Sequence, residues 1–407
     1  MQMRILTIAL VSILISVIFG SAAWTGDIIT SSGINTGALT AIPRWKVYID
    51  PADADHLWLV HGNSSTTGSV WESEDGGDTW DALGTQRATD YHASIDGDGT
   101  QIFIGVPVGW DGTPDDPGTL RRWTGSAWAD DIAFDDYSGA YSNVNILKGN
   151  GDDVFAFVRS TYGGSGTIYW HRSTNGGESF GSATAVMNTG DLNYKRMGGL
   201  MISGQPAVTI GYIAGAVYRY RLFRWDGEDS FDALTNDSID ASTNDDMNRI
   251  WTVNQTSDGE IHIVYRDYAD SNYCLRYSHR TLTGSWASPS TICTLTGEFD
   301  GECIMAVRAN TLYLAYIDTQ SGQKDVFYRT LDSGGSWSDQ TKISSGGGVA
   351  NCNTCRDIGS ATYFPVVWDQ AAGGGNRTIK FEAIDIGKPP STPTITSGGI
   401  HGGGFNP

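Results

Sequence analysis

The sequence predicts an all-β chain folded as a seven-bladed β-propeller, a ring of four-stranded sheets closed by the N-terminal strand. Three observations predict it. An aromatic residue at an outer turn recurs as Trp80, Trp128, Phe180, Phe231, Trp286 and Trp337, at spacings of 48, 52, 51, 55 and 51 residues. A period near 50 marks a repeated unit that buries its apolar face only against its neighbours. Seven apolar runs suit buried strands: Leu57–Val60, Ile102–Val106, Val154–Val158, Ala207–Gly211, Ile261–Tyr265, Leu312–Tyr316 and Phe364–Trp368. Three segments are near-copies of one another: Ser73–Trp80, Ser173–Phe180 and Thr330–Trp337.

Each unit reads as an inner strand, a Gly/Asp turn, the apolar second strand, a loop, a third strand, the outer turn and a fourth strand. Seven second strands stand against six outer turns. The seventh unit, about 350–386, stops after its third strand, Thr378–Ile384. Trp24-Thr25-Gly26-Asp27-Ile28-Ile29-Thr30 is similar to a fourth strand such as Trp337–Ile343, so the N-terminus is expected to complete the last blade. Closure leaves only short, protected sheet edges. The alternative is an imperfect six-bladed ring with an accessory hairpin.

The copied turns have a physical logic. An Asp or Asn side chain accepts backbone N–H bonds within a tight turn. The glycines supply positive φ, and the closing aromatic buries a large apolar surface. The segments resemble the Asp box, or BNR repeat, of sialidase-like β-propellers, Ser/Thr-x-Asp-x-Gly-x-Thr-Trp/Phe. Residues 73–80 match fully, with Asp75 and Trp80 in the diagnostic places. Residues 173–180 carry Asn175, Ser179 and Phe180, and residues 330–337 carry Asp332, Ser336 and Trp337. The resemblance implies that these turns are structural and lie away from the active face.

The chain has 407 residues and a net charge of −20. Phosphate binding needs clustered Lys and Arg, so nucleic acid is not an expected partner. Arg4, the apolar run Ile5–Phe19 and Ser21-Ala22-Ala23 have the order of an export signal, with cleavage after Ala23. The domain reading is therefore a signal at 1–23, the propeller at 24–386 and a flexible Pro/Gly-rich tail at 387–407. The protein is expected to be secreted or held at the extracellular or periplasmic surface. A membrane is a partner only if the leader is retained.

The five cysteines are Cys274, Cys293, Cys303, Cys352 and Cys355. Cys274 and Cys293 fall on neighbouring strands of one unit and are spaced for a disulfide. Cys352-x-x-Cys355 has no second pair for zinc and no redox context, so no metal and no cofactor are expected. Asp96-Gly97-Asp98-Gly99 lacks the Glu of a calcium loop and reads as a hairpin turn.

A propeller gathers the first residues of its inner strands at one end of the central channel. Counting back from the second strands places there Arg44, His92, Asn143, Arg196, Arg249, Glu302 or Cys303, and Cys355 or Arg356. Guanidinium groups bind carboxylates bidentately, so Arg44, Arg196 and Arg249 form a candidate anion site, with His92 and Arg356 beside them. Each Arg could instead pair with an Asp of a neighbouring blade. The sialidase resemblance implies an arginine cluster for a sugar carboxylate, an Asp acid/base and a Tyr nucleophile assisted by Glu. The family's Arg-Ile-Pro opening is absent, and its rings have six blades. Catalytic roles are therefore not assigned, and Tyr91, Glu302 and Tyr265 stand as candidates. A lyase would pair His92 or Tyr91 with a charge-neutralising Arg. Trp110, on the loop Val106–Gly118, could stack on a sugar, and Arg266-Asp267-Tyr268-Ala269-Asp270 is a second polar, aromatic loop. The expected function is extracellular recognition of an anionic glycan or glycoconjugate, with cleavage by a sialidase-like hydrolase or polysaccharide lyase left open. The competing class is a non-catalytic scaffold with a protein partner.

Overall fold

A computed structural model of the chain describes residues 25–30, 45–64, 67–86, 93–106, 118–134, 141–160, 167–187, 196–214, 217–234, 239–241, 250–269, 271–297, 303–332, 335–373 and 376–387. The strands form seven antiparallel sheets, the blades of a seven-bladed β-propeller. Blades 1 to 7 begin with inner strands Val47–Ile49, Ser94–Gly97, Tyr141–Lys148, Arg196–Ile202, Trp251–Gln255, Cys303–Arg308 and Val349–Asn353. Every second strand contains the apolar run read from the sequence. Blade 4 carries a fifth strand, Ile239–Ala241, paired to its third.

The ring closes as expected. Thr25–Thr30 pairs antiparallel with Asn376–Asp385, so blade 7 is built from both ends of the chain. No helix among the described residues is long and apolar enough to cross a membrane.

The core lies in the seams between blades. Phe103, Leu120, Val144 and Ala156 are buried between blades 2 and 3, and Phe155, Phe157, Ile210 and Phe223 between blades 3 and 4. Burying such side chains contributes about 1.5–3 kcal/mol each. At or beside the inner strands, every seam carries a hydrogen bond. From the seam of blades 1 and 2 onward these are Ile95 N to Trp45 O (3.4 Å), Ile146 N to Ser94 Oγ (2.9 Å) and Asn145 Nδ2 to Met197 O (3.1 Å). They continue with Ser203 N to Gln255 Oε1 (2.5 Å), Met305 N to Thr252 Oγ1 (3.1 Å), Val307 N to Arg356 O (3.1 Å) and Lys46 N to Asn353 Oδ1 (2.8 Å).

The copied turns work as inter-blade wedges. In the first, Gly77 N donates to Ser73 Oγ at 2.8 Å and Thr79 N to Asp75 Oδ1 at 2.8 Å. In the second, Gly177 N donates to Ser173 Oγ at 2.9 Å and Ser179 N to Asn175 Oδ1 at 3.1 Å. The closing rings pack on the preceding blade: Trp80 on Phe381, Phe180 on Phe134 and Trp337 on Tyr277, all edge-on at 5.2–5.5 Å. Gly77 and Gly177 have φ of +97° and +77° and abut Phe381 and Phe103 of the blade before. They supply both the left-handed turn and the room for that contact.

Candidate functional site

The upper end of the ring is the end at which the inner strands begin. Of the residues expected there, Arg44, Tyr91, His92, Trp110, Arg249 and Glu302 lie outside the described residues. Arg196 opens the inner strand of blade 4, its backbone paired opposite Gly211.

Arg356 is elsewhere. The inner strand of blade 7 begins at Val349 and ends at Asn353, so Arg356 follows it rather than opening it. Counting back from the second strand fails because residues 354–362 replace a tight hairpin. This segment makes parallel bridges to both neighbouring inner strands, Val47 with Cys355 and Val307 with Asp357. Arg356 reaches further. Its Nη1 lies 2.8 Å from Asp96 Oδ2 in blade 2, and its carbonyl accepts from Asn254 Nδ2 of blade 5 at 2.7 Å. Residues 355–358 thus occupy the lower channel. Beside them is a cavity of about 130 Å3 lined by Tyr48, Asp50, Asp96, Arg356 and Asp357 among others. Burial works against the charge of Arg356, but Asp96 holds the guanidinium protonated, with its pKa above the ordinary value. Asp96 also accepts from Lys148 N at 2.8 Å, while Asp98 Oδ1 closes the hairpin onto Thr100 N and Gln101 N.

Tyr265 sits near the upper end of blade 5, paired with Trp251 and buried against Tyr220 at 5.4 Å. Burial, and then the neighbouring Asp267, push its phenol pKa far up, with Arg276 opposing. The hydroxyl therefore keeps its proton at neutral pH. It is suited to donating a hydrogen bond, and a proton only to a strong base such as a departing alkoxide, not to nucleophilic attack without a base. Gly211 meets Trp251 Nε1 and Tyr218 Oη, where a Cβ would stand 2.9 Å from each. Arg196's strand partner thus faces an aromatic wall of Tyr218, Tyr220, Trp251 and Tyr265.

At the upper end of blade 7, Asp369 is fully buried and paired with Arg377, Nε to Oδ1 at 2.7 Å, with Asn351 Nδ2 on its other oxygen. Burial raises its pKa, and Arg377 and the hydrogen bonds only partly offset this. Arg377, which the sequence reading did not single out, is thus consumed by a carboxylate of its own blade.

The expected Cys274–Cys293 disulfide is not formed, and none of the five cysteines is in a disulfide. The register sets Cys293 opposite Leu275 and Cys274 opposite Thr294, so the two side chains leave opposite faces of the sheet. Burial pushes the Cys293 thiol up to about 11, and Cys355 further still, which keeps both protonated and inert. Among the described residues no group of three or more His, Cys, Asp and Glu gathers to hold a metal.

Sequence reasoning missed Lys46, Tyr48, Asp96 and the Asp369–Arg377 pair. Lys46 is completely buried, with Nζ 2.5 Å from Ala93 O. The one available signal was Asp96, in a hairpin motif whose first Asp turns toward the channel.

No protein-family profile and no curated protein matches the sequence. Solved structures do. An ulvan lyase of a new polysaccharide lyase family, bound to -[GlcA(1-4)Rha3S]-, superposes with a TM-score of 0.63 at 10% identity, over 89% of this chain and 96% of that one. The polysaccharide lyase Uly1 gives a TM-score of 0.53 at 9% identity, over 82% and 88%. A Hadza microbial sialidase gives 0.48 at 13% identity, over 81% and 73%. The likeness is one of fold.

Proposed function

We propose that the protein is an exported propeller that recognises an acidic polysaccharide at the upper mouth and cleaves it by β-elimination. The observation that carries this reading is the match over nearly the whole ring to an ulvan lyase bound to a uronate-containing disaccharide unit. In support, the copied turns at 73–80 and 173–180 share one pattern of side-chain hydrogen bonds, and the leader has the order of an export signal.

The chemistry assigns roles to the sequence candidates. Arg44, Arg196 and Arg249 would neutralise the uronate carboxylate, which acidifies the proton on the adjacent carbon. His92 or Tyr91 would remove that proton. The electron pair forms the new C=C bond as the C–O bond to the next sugar breaks, and a phenol such as Tyr265 would return a proton to the leaving oxygen. The sum is one glycosidic bond lost and one unsaturated uronate gained, with no water consumed.

The test is incubation with ulvan and with polygalacturonate, following the ultraviolet absorbance of the unsaturated uronate. Wild type is expected to generate it, and Arg249→Ala to lower affinity by roughly ten- to a hundredfold, the loss of a charged hydrogen bond. New reducing ends without that absorbance would overturn elimination. Failure to bind either polymer would overturn the reading as a whole.

A further inference from the structure

The hairpin joining the second and third strands of blade 5 carries Tyr268, the one exposed large hydrophobic side chain among the described residues, at 40%. Resting on that glycan reading, we propose that Tyr268 is a stacking platform for one pyranose ring of the bound polysaccharide, set on the upper rim.

Its mounting is built, not incidental. Tyr268 and Tyr273 are directly opposed across the hairpin, with ring centroids 4.8 Å apart at 56°. Beneath them Arg266, only 1% exposed, holds its guanidinium carbon 4.3 Å from the centre of the Tyr273 ring. A cation over an aromatic face is worth more when desolvated, so this contact fixes Tyr273 and, through it, Tyr268. The hairpin is also tied to the mouth, because Arg266 N donates to the carbonyl of Ile250, just before the blade 5 inner strand, at 3.0 Å. Tyr268 N is pinned in turn by Asp267 Oδ1 at 2.9 Å. The turn reverses through Ser271, whose φ of 66° is uncommon for a residue with a Cβ.

The surroundings fit a sugar better than a protein. A stable protein interface buries several hundred Å2 per partner around clustered apolar anchors. Among the described residues a single exposed ring is offered, flanked by exposed Ser271 and Asn272. A pyranose presents the complementary pattern, an apolar C–H face with hydroxyls around its edge. A ring already held by its neighbours also loses little freedom on binding.

The experiment is affinity electrophoresis through gels containing ulvan or polygalacturonate, comparing wild type with Tyr268→Ala, Tyr268→Phe and Tyr268→Trp, each checked for an unchanged thermal midpoint. Tyr268→Ala is expected to weaken binding by roughly three- to tenfold, while Phe and Trp keep it, since stacking needs the ring and not the hydroxyl. Wild-type affinity in Tyr268→Ala, or a loss in Tyr268→Phe as large as in Ala, would overturn the platform while leaving the glycan reading intact. Self-association abolished by Tyr268→Ala with glycan affinity unchanged would overturn it in favour of protein docking. A wild type that binds neither polymer takes the glycan reading down, and this inference with it.

Discussion

Replacing Gly77 by Ala perturbs the ring at its closing seam. Gly77 has φ of +97°, and an added Cβ would land on the Phe381 ring, 2.5 Å from Cζ and 2.9 Å from Cδ1. Phe381 is fully buried in blade 7 and touches Trp80, so it has no room to retreat. The left-handed backbone alone costs a residue with a Cβ about 1–2 kcal/mol. Forcing a methyl into a packed seam adds about 1–3 kcal/mol. Gly335, in the copied turn of blade 6, separates the two effects: its φ is +76°, but a Cβ there meets nothing within 4 Å. Gly335→Ala should therefore lose only the backbone part, and Gly77→Ala about 2–5 kcal/mol in all. Urea unfolding followed by tryptophan fluorescence would measure both. A Phe381→Leu background should recover part of the Gly77→Ala loss, because neighbouring sites couple. Equal losses at Gly77 and Gly335, or no coupling to Phe381, would refute the wedge.

Two further predictions follow from blade 7. Glu382 is 5% exposed, with Oε2 unpartnered, and burial raises its pKa to about 7 from 4.5. The folded state then keeps a proton that the unfolded chain releases, so stability should fall as pH rises from about 4.5 to 7, by about 1–3 kcal/mol. Glu382→Gln should flatten that slope and stabilise the protein at pH 8 with no change at pH 4; an unaltered slope in denaturant titrations would contradict this. Deleting Thr25–Thr30 strips the partner from Asn376–Asp385 and leaves an open edge. Sedimentation should then show association or aggregation, whereas a stable monomer with the wild-type midpoint would show that closure does not depend on this strand.

Much of the architecture was legible because it is written in local repetition. The seven apolar second strands, the glycine turns and the likeness of Trp24–Thr30 to Trp337–Ile343 are patterns within short windows. The failures come where a window is not enough. Arg356 was misplaced because blade 7 inserts residues 354–362 where its sisters have shorter connections, and counting back assumes equal units. The Cys274–Cys293 bridge failed because the register shifts between Leu275 and Arg276, and a one-residue offset changes the face a side chain leaves by. Lys46 and Asp96 were invisible for a different reason. A Lys that ends up with no exposure, or an Asp fixed by an Arg from five blades further along the chain, is defined by partners that only the closed ring brings near.

On the proposed reading, the segment beneath the mouth would also set how a long polymer travels. With residues 355–358 bridged to blades 1 and 6, and Arg356 spanning from blade 2 to blade 5, the axis is a well with a floor. If the proposed polysaccharide binds there, it would leave by the rim it came over, lying across the ring as a rope lies over a pulley. Bond breaking in such a seat would fall at interior linkages of the chain, releasing fragments of mixed length, rather than trimming single sugars from a threaded end.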